Sequence, residues 1–235
     1  MICLIRYNWL MKIFHNISEL ITLAGGPQRG RQLGRLGAIA QGAIVCEDGK
    51  FLAVGRADEL LERYPQAERV DLRGKAVVPG FVDPHTHLIW AGDRANEFEM
   101  RLQGKSYMEI MAAGGGILAT LTATRQASLE QLVEESRARV RTAFALGTTT
   151  MEAKTGYGLD IETELRHLEA ILELARTEPI DLVPTYMGAH AIPPEYKGNT
   201  AGYTRFLSED ALPITKQLWM EHASSQALPY VDVFC

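Results

Sequence analysis

Cysteine is scarce: the 235 residues hold three, Cys3, Cys46 and Cys235, none close to another. That spacing excludes a disulfide framework and a zinc ribbon, and it points to a reducing cytoplasm. Positive charge is also short, with 24 Lys and Arg against 29 Asp and Glu, a formal charge of −5 and no basic cluster. Nucleic acid and anionic membrane are thereby excluded as partners. Long apolar runs are missing too. The stretch from Met1 to Phe14 comes nearest, but Arg6, Asn8 and Lys12 interrupt it and no small-residue cleavage site follows. It is too broken for a signal peptide and too short to span a bilayer. Met11 followed by Lys12 makes an ordinary start, so residues 1–10 are expected to be an upstream extension without a structural role.

What remains has globular proportions, 46% hydrophobic and 23% charged, enough for one large domain or two modest ones. Two grammars follow one another. Residues 1–75 alternate short apolar runs with turns: Ile17–Leu23, Ala38–Cys46, then Phe51–Val54 after Asp48-Gly49, a hairpin signal. With a short helix over Ala57–Arg63, this zone reads as a small β-rich module. Residues 76–235 repeat strand, loop and helix. Strands are expected over Val77–His87, Thr148–Ala153, Leu182–Met187 and Tyr230–Cys235. Ser128, with Gln131 three residues on, caps a helix that stops at Gly147. Asp160 caps the next, whose stripe is Leu165, Leu168, Leu172 and Ala175. A further helix is expected over Ile214–Ala223. Such alternation implies parallel βα units, with chemistry in the loops at the strands' C-terminal ends.

Polar residues collect at those ends. His85 and His87, in Phe81-Val82-Asp83-Pro84-His85-Thr86-His87, stand two apart, which on a strand puts both imidazoles on one face. Such a pair can grip one divalent ion; the bland alternative is a polar strand end. The apolar run and the Pro79-Gly80 turn before it favour metal. Arg94, in the loop that follows, suits bidentate capture of an anion, or else a surface ion pair with Asp93 or Glu97. Gly114-Gly115-Gly116 is a flexible loop without the strand–helix setting of a dinucleotide fingerprint. Lys154 reads as an ion-pair partner of Glu152. Tyr157, between Gly156 and Gly158, sits on an exposed turn and can hydrogen-bond a ligand. His190 closes the third strand, where a neutral imidazole can donate to a substrate. His15 falls in the β module, and His167 and His222 fall on helices, where surface positions are expected.

The Pro79–His87 run resembles the metal-dependent amidohydrolase superfamily. Trp90–Arg94, Ala112–Ile117, Glu152–Gly158 and Met187–Pro193 narrow the resemblance to the imidazolonepropionase family of histidine degradation. It runs from about residue 15 to the end. It implies an α/β fold, about half of a (β/α)8 TIM-type barrel beside a small N-terminal β-sandwich module. It also implies one zinc or iron ion and hydrolysis of 4-imidazolone-5-propanoate to N-formimidoyl-L-glutamate. His85 and His87 match metal ligands; Arg94, Tyr157 and His190 match substrate-binding positions, with Tyr107 beside them. The family's remaining ligands and its proton shuttle have no match here, so the catalytic residues are expected beyond residue 235. The chain is therefore expected to be a fragment inactive alone, cytoplasmic, with a small-molecule substrate and exposed edges suited to a homodimer. The alternatives are another cyclic amidohydrolase or deaminase, or a non-catalytic truncated half-barrel.

Overall fold

The structure, a computed structural model, describes residues 11–223 and 227–234. The expected N-terminal extension, Cys3 and Cys235 lie outside them. The chain divides into two compact units, one up to Pro79 and one from Gly80.

The first unit holds β1 (Lys12–Ile21), β2 (Ala38–Glu47), β3 (Lys50–Arg56), α1 (Ala57–Arg63) and β4 (Glu68–Val77). They form one four-stranded sheet in the order β3-β2-β1-β4. The β2–β3 hairpin turns at Asp48 and Gly49, both with positive φ (50° and 73°), the backbone twist that matches paired strands. Ile13, Ala43 and Val45 bury one sheet face against Leu60 of α1.

The second unit carries β5 (Phe81–Asp83), then four helices: α2 (Ala95–Leu102), α3 (Tyr107–Ala112), α4 (Ile117–Gln126) and α5 (Leu129–Ala145). Next come β6 (Thr148–Lys154), α6 (Ile161–Thr177), β7 (Asp181–Ala189), α7 (Thr200–Phe206), a π turn, α8 (Leu212–His222) and β8 (Tyr230–Val233). The four strands pair in parallel, in sequence order β5-β6-β7-β8. This is half of a (β/α)8 barrel. Among the described residues, no helix is long and apolar enough to cross a membrane.

Both expected helix caps form. Ser128 Oγ accepts from the Gln131 amide, and Asp160 Oδ1 from the Thr163 amide at 2.7 Å. The core lies between the sheet and the helices. Met151 and Ala153 of β6 and Tyr186 of β7 pack with Leu132 and Val140 of α5, Leu168, Ile171 and Leu174 of α6, and Trp219 of α8. Each such large side chain contributes about 1.5–3 kcal/mol by leaving water. Leu168 therefore anchors its helix.

Three expectations are corrected. Val77 belongs to β4, paired with Leu20, so the strand expected over Val77–His87 shrinks to Phe81–Asp83. That short strand is an exposed edge rather than a buried one, with Phe81 and Val82 about 60% exposed. On α6 the buried stripe is centred on Leu168, Ile171 and Leu174. That rotation overturns the surface position expected for His167, which is fully buried and, among the described residues, has no partner for either ring nitrogen. His222 is exposed, as expected.

Burial holds His167 neutral and lowers its pKa below the ordinary 6.5. As pH falls through 6.5 the unfolded chain takes up a proton that the folded chain refuses, so stability is lost on acidification. Urea unfolding between pH 7 and 5 should show this slope. His167→Leu should make it shallower by up to about 1.4 kcal/mol per pH unit. Parallel slopes for the two chains would exclude His167 as the cause.

Candidate active site

The site forms where β5, β6 and β7 end. His85 and His87 stand beyond the last residue of β5, so strand periodicity does not pair them. They are held instead by the end of β6. Thr86 Oγ1 donates to the Glu152 carbonyl, and the Lys154 amide donates to the Thr86 carbonyl at 2.9 Å. His87 Nδ1 lies 3.0 Å from the Thr155 carbonyl. A carbonyl only accepts, so Nδ1 carries the proton and the Nε2 lone pair is free. A histidine that ligates a metal through Nε2 needs that tautomer. His87 has its pKa lowered to about 4 by burial first, then by neighbouring His190, which keeps the ring uncharged at neutral pH.

His190 is set in the same way, with Nδ1 2.8 Å from the Gly156 carbonyl. Its ring stacks on His87 at 4.5 Å between centroids, and Tyr157 lies 4.9 Å from His87 and 5.3 Å from His190. His85 and His87 have ring centroids 6.4 Å apart. Successive carbonyls, Thr155 and Gly156, thus orient two imidazoles.

The turn that carries Tyr157 is buried, contrary to the exposed turn expected. Gly156 has φ 108°, and a Cβ there would lie 2.8 Å from the Met187 carbonyl and 2.9 Å from His190 Cβ. The Thr155 hydroxyl accepts from the Met187 amide at 2.9 Å, tying the turn to β7. Lys154 has the structural place expected, paired with Glu152 at 3.0 Å and with Asp232 of β8 at 2.6 Å. Burial opposes its charge, but the two carboxylates outweigh burial and raise its pKa.

Arg94, Tyr157 and His190 line one cleft of about 250 Å³, together with Tyr107, Arg101 and Gly116. Arg94 Nε donates to Thr120 Oγ1 at 3.0 Å and lies 3.8 Å from Glu97, so one expected ion pair forms. Buried Glu97 also accepts from the Gly116 amide at 2.7 Å, which fixes the glycine loop at the cleft wall. Sequence reading missed Arg101 as a second guanidinium here, and it missed Glu97 as the anchor of the loop. Spacing carries no signal for either, since the contacts join separate helices.

Among the described residues no cluster of three or more His, Cys, Asp or Glu can hold a metal ion. His85 and His87 supply two donors, one with its tautomer set, where a closed zinc site uses four. Their chemistry fits part of a metal site.

A parallel half-barrel with a His-x-His pair beyond its first strand is similar to the arrangement expected from the resemblance to metal-dependent amidohydrolases. Residues 42–67 match the bacterial imidazolonepropionase-like composite domain and residues 68–117 the amidohydrolase family. The chain is 46% identical to imidazolonepropionase of Herpetosiphon aurantiacus over 95% of its length, covering 52% of that protein. It is 51% identical to imidazolonepropionase of Symbiobacterium thermophilum over 83% of its length, covering 47% of that protein. The chain spans about half the length of the curated relatives it matches. In sequence it corresponds to the N-terminal half of the imidazolonepropionase family. Solved structures agree on the fold. Guanine deaminase of C. acetobutylicum with bound guanine is 16% identical at TM-score 0.58, covering 95% of this chain and 45% of that one. A zinc-complexed atrazine chlorohydrolase mutant of Arthrobacter aurescens is 15% identical at TM-score 0.55, covering 94% and 46%.

Gly156→Ala should cost about 1–3 kcal/mol in urea unfolding, because it combines a left-handed φ with a clash against β7. A cost below about 0.5 kcal/mol would show that the turn relaxes freely.

Proposed function

We propose that this half-barrel supplies the substrate cleft and two metal ligands for hydrolysis of the lactam C–N bond of 4-imidazolone-5-propanoate, yielding N-formimidoyl-L-glutamate. One observation carries the reading: His190, stacked on His87, lines a cleft that also holds two guanidinium groups. The names of the relatives supply the substrate.

Hydrolysis adds water across the lactam: the water oxygen bonds to the carbonyl carbon, the C–N bond breaks, and the departing nitrogen takes a proton. A zinc or iron ion held by His85 and His87 would act as Lewis acid and acidify a water molecule. The other residues bind and orient. Among the described residues the Arg94 bonds use Nε, and its terminal amino groups suit the propanoate carboxylate. Nε2 of His190 and the Tyr157 hydroxyl flank the place of the imidazolone ring. Remote binding at the carboxylate thereby positions the reacting amide. Cytoplasmic placement and possible self-pairing of the exposed edges remain part of this proposal.

Imidazole-4-propanoate, a stable analogue, tests the clamp by calorimetric titration. Arg94→Gln should weaken its binding at least about tenfold, the loss expected for a charge-assisted pair. Imidazole without the carboxylate should bind both chains alike, and equal loss for both ligands would remove Arg94 from the carboxylate. Turnover of 4-imidazolone-5-propanoate under anaerobic conditions, with metal measured on the same sample, tests the division of labour. Little metal and no turnover are expected from these 235 residues alone. Robust turnover with about one metal per chain would show that they already hold a complete site.

A further inference from the structure

Nothing in the reaction above uses Glu164, yet it is among the most buried charged residues of the chain, 1% exposed in the first turn of α6. Its Oε1 accepts from the amides of Gly158 and Leu159, each at 2.8 Å. The Gly156 amide donates to both oxygens, at 3.0 Å to Oε2 and 3.2 Å to Oε1. One carboxyl group therefore gathers three amides of the turn that carries Tyr157. The Gly156 N–H shares a single planar peptide group with the Thr155 C=O. On the far side of that plane, the same carbonyl accepts His87 Nδ1–H at 3.0 Å.

We infer that Glu164 is the positioning residue of the imidazole pair, acting on His87 through the Thr155–Gly156 peptide and on His190 through the turn it anchors. Hydrogen bonds in a chain polarise one another, so a carboxyl oxygen on the N–H makes the carbonyl opposite a better acceptor. That strengthens the bond to His87 Nδ1 and favours the tautomer with Nε2 free. His190 is reached differently. The Gly156 carbonyl that accepts its Nδ1–H belongs to the next peptide, whose orientation depends on Gly156 at φ 108° being held in place. This reading deepens the proposed function by naming what sets its two imidazoles, and only the identity of the bound ring rests on that proposal.

The test is 15N NMR of the histidine rings in the full metal-free 235-residue chain, and it needs no substrate. In the wild type both His87 and His190 should appear as the Nδ1–H tautomer; an Nε2–H tautomer for His87 overturns the inference without any variant. Glu164→Gln is selective. Its carbonyl oxygen can keep Gly158, Leu159 and the longer 3.2 Å contact to Gly156, while its NH2 cannot accept and so removes the shorter Gly156 bond at 3.0 Å. The His87 and His190 ring shifts should move toward a mixed tautomer while exposed His222 stays unchanged. Glu164→Ala should move them further. Unchanged His87 and His190 shifts in either folded variant would leave Glu164 a purely structural residue and overturn the inference. Titration with imidazole-4-propanoate separates the two readings: no binding by the wild type counts against the proposed function, while the ring shifts still decide the role of Glu164.

Discussion

Two adjacent backbone carbonyls, those of Thr155 and Gly156, face two imidazole N–H groups, and most of the site follows from that arrangement. A main-chain carbonyl cannot change its hydrogen-bonding role with pH or rotamer, so it imposes a tautomer more firmly than a side chain does. The rest of the unit serves to keep those carbonyls where they are. Below them, Thr86 donates to the Glu152 carbonyl and accepts from the Lys154 amide, which carries the His-Thr-His segment along the end of β6. Behind them, the turn is anchored to α6, and α6 is anchored to the sheet by Leu168, Ile171 and Leu174.

This chain of dependence runs from apolar burial to chemistry. The stripe on α6 fixes the helix against β6 and β7, the helix fixes its first turn, and that turn fixes the peptide groups facing the histidines. Each link is ordinary in energy, a few kcal/mol of burial or about 1 kcal/mol of net hydrogen bond. Their effect on the site comes from being connected in series. Sub-ångström placement of an imidazole needs every link.

Much of this was legible in the sequence, and the exceptions have physical causes. The helix over Ala57–Arg63, the Asp48-Gly49 hairpin and the caps at Ser128 and Asp160 are local chemistry, and they form where expected. The strand order follows from alternation. The error at β5 arose because Val77-Val78-Pro79 reads as one apolar run with Phe81-Val82, whereas pairing with β1 claims Val77 for the other unit. His167 was misplaced because a histidine on a helix reads as polar, and only the phase of the neighbouring leucines sets its face. Glu97, Arg101 and Glu164 were unreadable as site residues: their partners lie on other elements or in a turn whose shape sequence does not reveal. That Arg94, Tyr157 and His190 come together in one cleft was accessible, because each stands at the end of a strand or in the loop after it.

The pair formed by Lys154 and Asp232 has a mechanical meaning. These residues stand on β6 and β8, which are not neighbours, with β7 between them. Flat strands at that remove are about 9.6 Å apart, twice the usual spacing. The Lys154 and Asp232 side chains reach over β7 across that gap and meet at 2.6 Å. The pair thereby ties β6 to β8 independently of the backbone bonds that each makes with β7. Asp232 is kept ionised below the usual carboxylate range by the Lys154 hydrogen bond. Strong acid, by protonating Asp232, removes this tie between the second and fourth strands.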